Sequence, residues 1–86
     1  MENVRRYELE PLEEDYRKLT ALSDKDAAAR IFSFLRMIRY DLQNNSEVIF
    51  EYRTGFPEPM IMRILKTEKD LDRWMETRFV RLAEFI

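Results

Sequence analysis

The 86-residue chain has no cysteine, no histidine, one glycine and three prolines. Without cysteine there is no disulfide framework, no thiolate metal site and no thiol nucleophile. Without histidine the commonest general base and the commonest transition-metal ligand are missing too. A single glycine leaves nothing from which to build a glycine-rich, phosphate-cradling loop. No stretch approaches the roughly 18 apolar residues of a membrane span. Met1-Glu2-Asn3-Val4-Arg5-Arg6 also lacks the apolar run that follows the basic region of a signal peptide. The expectation is a cytoplasmic protein without cofactor or bound metal. An excess of one charge sign is lacking as well. Fifteen basic and 17 acidic residues give a net charge of −2. That balance argues against a dedicated nucleic-acid binder, which shows a basic excess.

Candidate chemistry is sparse. Glu68, Asp72 and Glu76 are spaced i, i+4 and would line one helix face, where carboxylates can hold a hard cation such as Mg²⁺. No Glu-x-x-His pair accompanies them, as a di-metal bundle would require, and a solvated helix face is the simpler reading. No catalytic residues are assigned, and the chain is read as a non-enzyme.

What is present is a strong apolar pattern, read as one domain spanning residues 1–86. Residues 1–9 carry no clear period and read as a flexible arm or an extended strap. Leu12, Tyr16, Leu19 and Leu22 then form the stripe of a short first helix opened by Pro11. Ser23 reads as the residue that closes the first helix and caps a second. Ile31, Leu35, Ile38 and Leu42 repeat at heptad-like spacing, and Ile49 and Tyr52 resume it in phase beyond Gln43-Asn44-Asn45-Ser46. The pattern therefore predicts a helix over about 24–54. Arg53-Thr54-Gly55-Phe56-Pro57-Glu58-Pro59 holds the one glycine and two of the three prolines, and reads as a helix stop. A third helix over about 59–86 follows, with seam residues Ile61, Ile64, Leu71, Met75 and Leu82. Folding about this tip sets Ile49 opposite Ile64, Tyr52 opposite Ile61 and Asn45 opposite Glu68. The favoured fold is all-α: the first helix packed on a long, coiled-coil-like antiparallel helical hairpin, dimerised into a bundle. The competing reading is α+β with a β-hairpin at 47–66, because Val48, Phe50 and Tyr52 also alternate as in a strand, and Thr67 with Asp70 could cap a shorter last helix.

Both long helices carry apolar residues off their seams, more than the first helix can cover. Phe32, Tyr40, Phe50, Phe56 and Trp74 are the candidate protein-interface residues, since aromatics are enriched at contact centres. The function expected is protein–protein interaction or assembly, as a homodimer or with another protein. The alternative is a nucleic-acid-associated accessory protein that contacts phosphates through Arg36, Arg39, Lys69, Arg73 and Arg81.

Overall fold

The structure, a computed structural model, describes residues 3–55 and 57–85. It is an α+β fold with 60% helix and 23% strand, and the all-α bundle is therefore overturned. The elements run β1 (Asn3–Glu8), α1 (Glu10–Leu22), α2 (Lys25–Gln43), β2 (Ser46–Tyr52), β3 (Met60–Leu65) and α3 (Glu68–Arg78), followed by a 3₁₀ segment at Val80–Phe85. The sheet order is β1-β2-β3. Central β2 runs parallel to β1 and antiparallel to β3.

Local chemistry sets each boundary. Pro11 lies in the first turn of α1, where its missing N–H leaves no helical bond unmade. Ser23 does not cap α2 but closes α1. It adopts a left-handed φ of 52°, and its N–H donates to the Leu19 carbonyl. Asp24 is the true cap, its carboxylate accepting from the N–H groups of Asp26 and Ala27.

The helix predicted to run to residue 54 stops at Gln43. The side-chain amide of Asn44 donates to the Tyr40 carbonyl, and Asn45 turns the chain with a φ of 63°. Asparagine is one of the few residues that enters that region readily. Asn45 thus makes a turn and forms no polar layer with Glu68. From Ser46 the side chains alternate with a period of two. Val48 and Phe50 enter the core on one face of the sheet, and Glu47, Ile49 and Glu51 take the other.

The tip at Arg53–Pro59 therefore joins two strands, with Gly55 at a φ of 87°. The expected pairing of Ile49 with Ile64 is present, but as strand partners. A bulge then shifts the register, so that Tyr52 meets Met60 and Glu51 meets Ile61. The last helix starts at Glu68 and not at Pro59. The Thr67 hydroxyl accepts from the Asp70 N–H while the Asp70 carboxylate accepts from the Thr67 N–H, a reciprocal capping box. Asn3–Glu8, expected as an arm or strap, is an ordered strand paired along its whole length with Ser46–Glu51.

The core lies between one sheet face and the helices. Leu12 and Leu19 of α1, Ile31, Ile38 and Leu42 of α2, and Leu71 and Trp74 of α3 surround Val48, Phe50 and Leu65 of the sheet. Phe50 is fully buried, worth about 1.5–3 kcal/mol of transfer free energy. Its ring lies 4.4 Å from Trp74 and 5.9 Å from Phe34 between centroids. Phe34 in turn meets Tyr7 edge-on at 5.2 Å. An aromatic chain thus ties β1, α2, β2 and α3 together.

Candidate functional site

The helices pack on the Val48/Phe50 side of the sheet. Register and alternation place Val4, Arg6 and Glu8 of β1, Glu47, Ile49 and Glu51 of β2, and Ile61 and Ile64 of β3 on the opposite side. The bulge is what brings Ile61 and Ile64, three apart in sequence, to one face. Ile61 is 51% exposed and Ile64 44%, and Val4, Met60 and Met62 are exposed as well. Only Leu65 of β3 is buried.

β3 is also an edge strand, so alternate backbone N–H and C=O groups along it have no ladder partner. The other edge, β1, carries Arg5, Arg6 and Glu8, the charged pattern that keeps an edge from pairing. β3 has one charged residue, Arg63, among six. The accessible surface is 6039 Å². A compact monomer of this mass exposes about 5,500 Å².

Next to this apolar strip lies a charged network. Glu51 is only 2% exposed although no helix covers it. Arg6 Nη1 donates to Glu51 Oε2 at 3.2 Å and Arg53 Nε to Glu51 Oε1 at 2.9 Å. Arg53 Nη1 also reaches Glu8 Oε1 at 3.3 Å. Two guanidinium groups therefore shield and neutralise one carboxylate in the middle of the sheet face. The bond to Glu51 raises the Arg53 pKa above its ordinary value. Where β2 leaves the sheet, the Glu10 carboxylate accepts from the Arg53 and Thr54 N–H groups, and the Thr54 bond is the main reason its pKa is lowered.

The sequence-derived contact residues are dispersed by the fold. Phe50 and Trp74 are core residues, with 0% and 3% exposure. Tyr40 is exposed on α2. Phe32 is partly buried and lines a groove of about 650 Å³ between α2 and the α3–3₁₀ segment. Phe56 lies outside the described residues. The basic candidates do not form one track. Arg39 is held by Glu68 and Asp72, and Arg81 by Glu84. Arg36 lines the groove with Phe32, whereas Arg73 lies in a different cleft, against β3. Lys69 is exposed on α3. Glu68 and Asp72, two of the three carboxylates proposed for a cation, are occupied by Arg39. Among the described residues no group of three acidic side chains is placed to hold a metal ion.

Ile61 and Ile64 were placed in a helical seam by the sequence pattern, whereas Met60 and Met62 were already off it. The alternation across 60–65 is the signal that supported the competing β-hairpin at 47–66, and the strands Ser46–Tyr52 and Met60–Leu65 match it.

Comparisons of the chain with protein-family models, with curated proteins and with solved structures find no match. Among the described residues no helix is long and apolar enough to cross a membrane.

Proposed function

We propose that the chain is a non-enzymatic protein–protein association module that forms a homodimer through the open sheet face, with Ile61 and Ile64 at the centre of the contact. The observation that carries this reading is a mostly apolar edge strand exposed at five of its six positions, with Ile61 and Ile64 on the sheet face away from the helices. Exposed apolar side chains gathered on one sheet face are the kind of surface that marks an interaction site.

Sedimentation velocity from micromolar to millimolar protein tests the proposal. The wild type is expected to sediment as a dimer at the upper end. Ile61→Lys combined with Ile64→Lys is expected to sediment as a monomer with an unchanged far-UV circular dichroism spectrum, since both side chains are exposed in the single chain. A wild type that stays monomeric across the range refutes self-association.

A further inference from the structure

A cleft of about 500 Å³ lies between β3 and α3, lined by Arg63, Ile64, Leu65 and Lys66 from the sheet side and by Asp70, Arg73, Trp74 and Thr77 from the helix. Its charge is one-sided. Arg63, Lys66 and Arg73 bring three positive charges. Among the described residues none of the three is in an ion pair. This sets them apart from Arg6, Arg30, Arg39, Arg53 and Arg78, which each hold a carboxylate. The one acid in the cleft, Asp70, is already engaged. It accepts from the Lys66 N–H at 2.9 Å and the Thr67 N–H at 3.0 Å, and these bonds lower its pKa.

We infer that this cleft is a second docking site, one that takes an acidic, extended polypeptide segment added as a strand to the free edge of β3. Three features combine to specify that occupant. The edge supplies unpaired backbone groups, which recognise an extended chain by strand addition. On the helix side of the edge, Arg63, Lys66 and Arg73 complement carboxylates. On the other side, Ile61 and Ile64 complement apolar side chains. Side chains of an added strand alternate between the two sides, so the segment that fits alternates acidic and apolar residues. The bulge between Ile61 and Arg63 interrupts the ladder, which places the paired stretch at Arg63–Leu65, beside the cleft.

Nucleic acid fits the same cleft less well. Sequence-tolerant single-strand binding relies on aromatic faces on which bases stack. The one aromatic here, Trp74, is buried beneath Phe50 and Phe79. The Thr77 hydroxyl, a candidate phosphate donor, is spent on the Arg73 carbonyl at 2.9 Å.

The inference goes beyond the homodimer reading, and one experiment separates the two. Three probes are titrated into the intact chain: an alternating glutamate–valine peptide with blocked ends, its lysine–valine counterpart, and a single-stranded oligothymidylate. Fluorescence of Trp74, the one tryptophan of the chain, and the amide shifts of Arg63–Lys66 report binding. Sedimentation of the same samples follows the dimer, which shares Ile61 and Ile64 with the added strand and is expected to dissociate as the glutamate peptide binds; a wild type that is monomeric without peptide yet binds it refutes the dimer alone. The glutamate peptide is expected to bind and the lysine peptide not. Arg63→Glu with Arg73→Glu, both exposed positions, is expected to weaken the glutamate peptide about ten-fold and to admit the lysine peptide. Equal binding of both peptides, binding of neither, preference for the oligothymidylate, or an unchanged preference in the charge-reversed variant each overturns the inference.

Discussion

The contact between Tyr7 and Asp41 offers the sharpest test of how β1 is held. Tyr7 lies on the core face of β1, and its hydroxyl donates to Asp41 Oδ2 at 2.5 Å. Asp41, near the end of α2, is 7% exposed. Tyr7→Phe keeps the ring and its packing on Phe34 and Phe50 but removes the donor. A buried carboxylate then loses a charge-assisted bond, a loss of about 2 kcal/mol. A chain of this length has a total stability of about 4–13 kcal/mol, so the loss is easily measured. With a urea m-value of about 1 kcal/mol/M, the midpoint followed by Trp74 fluorescence falls by about 2 M.

Tyr7→Phe combined with Asp41→Leu should recover most of that loss, because replacing both partners leaves nothing unsatisfied. The alkaline limb gives a second readout. Burial first, and then the hydrogen bond and charge of Asp41, push the Tyr7 phenol up to about 12. The fold therefore favours the neutral phenol. Its contribution is complete below about pH 10, where an unfolded tyrosine titrates, and is lost as pH rises through about 12. A two-unit shift sets a ceiling of about 2.7 kcal/mol, which solvent screening at a half-buried ring reduces to about 1–2 kcal/mol. In Tyr7→Phe this limb disappears. A variant that unfolds within about 0.5 kcal/mol of wild type and keeps the limb refutes the reasoning.

Four further substitutions test other parts of the fold. Thr67→Ala removes the hydroxyl that accepts from the Asp70 N–H and is expected to lower stability by about 1 kcal/mol in urea unfolding. Because backbone N–H groups hold the Asp70 pKa down, its contribution is present above the ordinary carboxylate range and is lost as pH falls through the folded value; Asp70→Asn should flatten the acid limb of a pH–melting curve. Gly55→Ala meets no neighbour within 4 Å, yet its φ of 87° alone is expected to cost about 1–2 kcal/mol, read as a lower melting temperature. Glu51→Ala strips two guanidinium groups of their acceptor, and since both arginines can turn to water the expected loss in urea unfolding is about 1–2 kcal/mol.

Much of this architecture was visible in the sequence, but at the wrong period. Ile38, Leu42, Ile49 and Tyr52 fit a seven-residue repeat only because a turn at Asn44-Asn45 falls where a polar layer of a helical hairpin would. Backbone conformation decides between them, and the left-handed Asn45 leaves no sequence trace beyond an asparagine pair. The pivot at Gly55 was legible because any antiparallel hairpin about that point sets Ile49 near Ile64, whether helix or strand. The strand at Asn3–Glu8 was not legible. Its outward residues, Val4, Arg6 and Glu8, are mostly charged, and its one core anchor is Tyr7. The same misreading displaced the candidate contacts. Read as helical, Phe50 lies off the seam and needs a partner, whereas in β2 it is the centre of the core. Trp74 follows, since its ring packs on Phe50. Ile61 and Ile64 of β3 were assigned to a buried seam for the converse reason.

The parallel pairing of β1 with β2 has a consequence for how the chain comes to be folded. Asn3 finds its partner at Ser46, roughly forty residues away, while α1 meets α2 and β2 meets β3 through short connections. At a synthesis rate of about 5–20 residues per second, β1 is made some 2–8 seconds before β2. Its completion is thus the late, non-local step, after the local helix pair and hairpin have formed. An apolar strand would spend that interval exposed to aggregation. Arg5, Arg6 and Glu8 let this one wait in water, and Arg6 then becomes a clamp on Glu51 once the sheet closes.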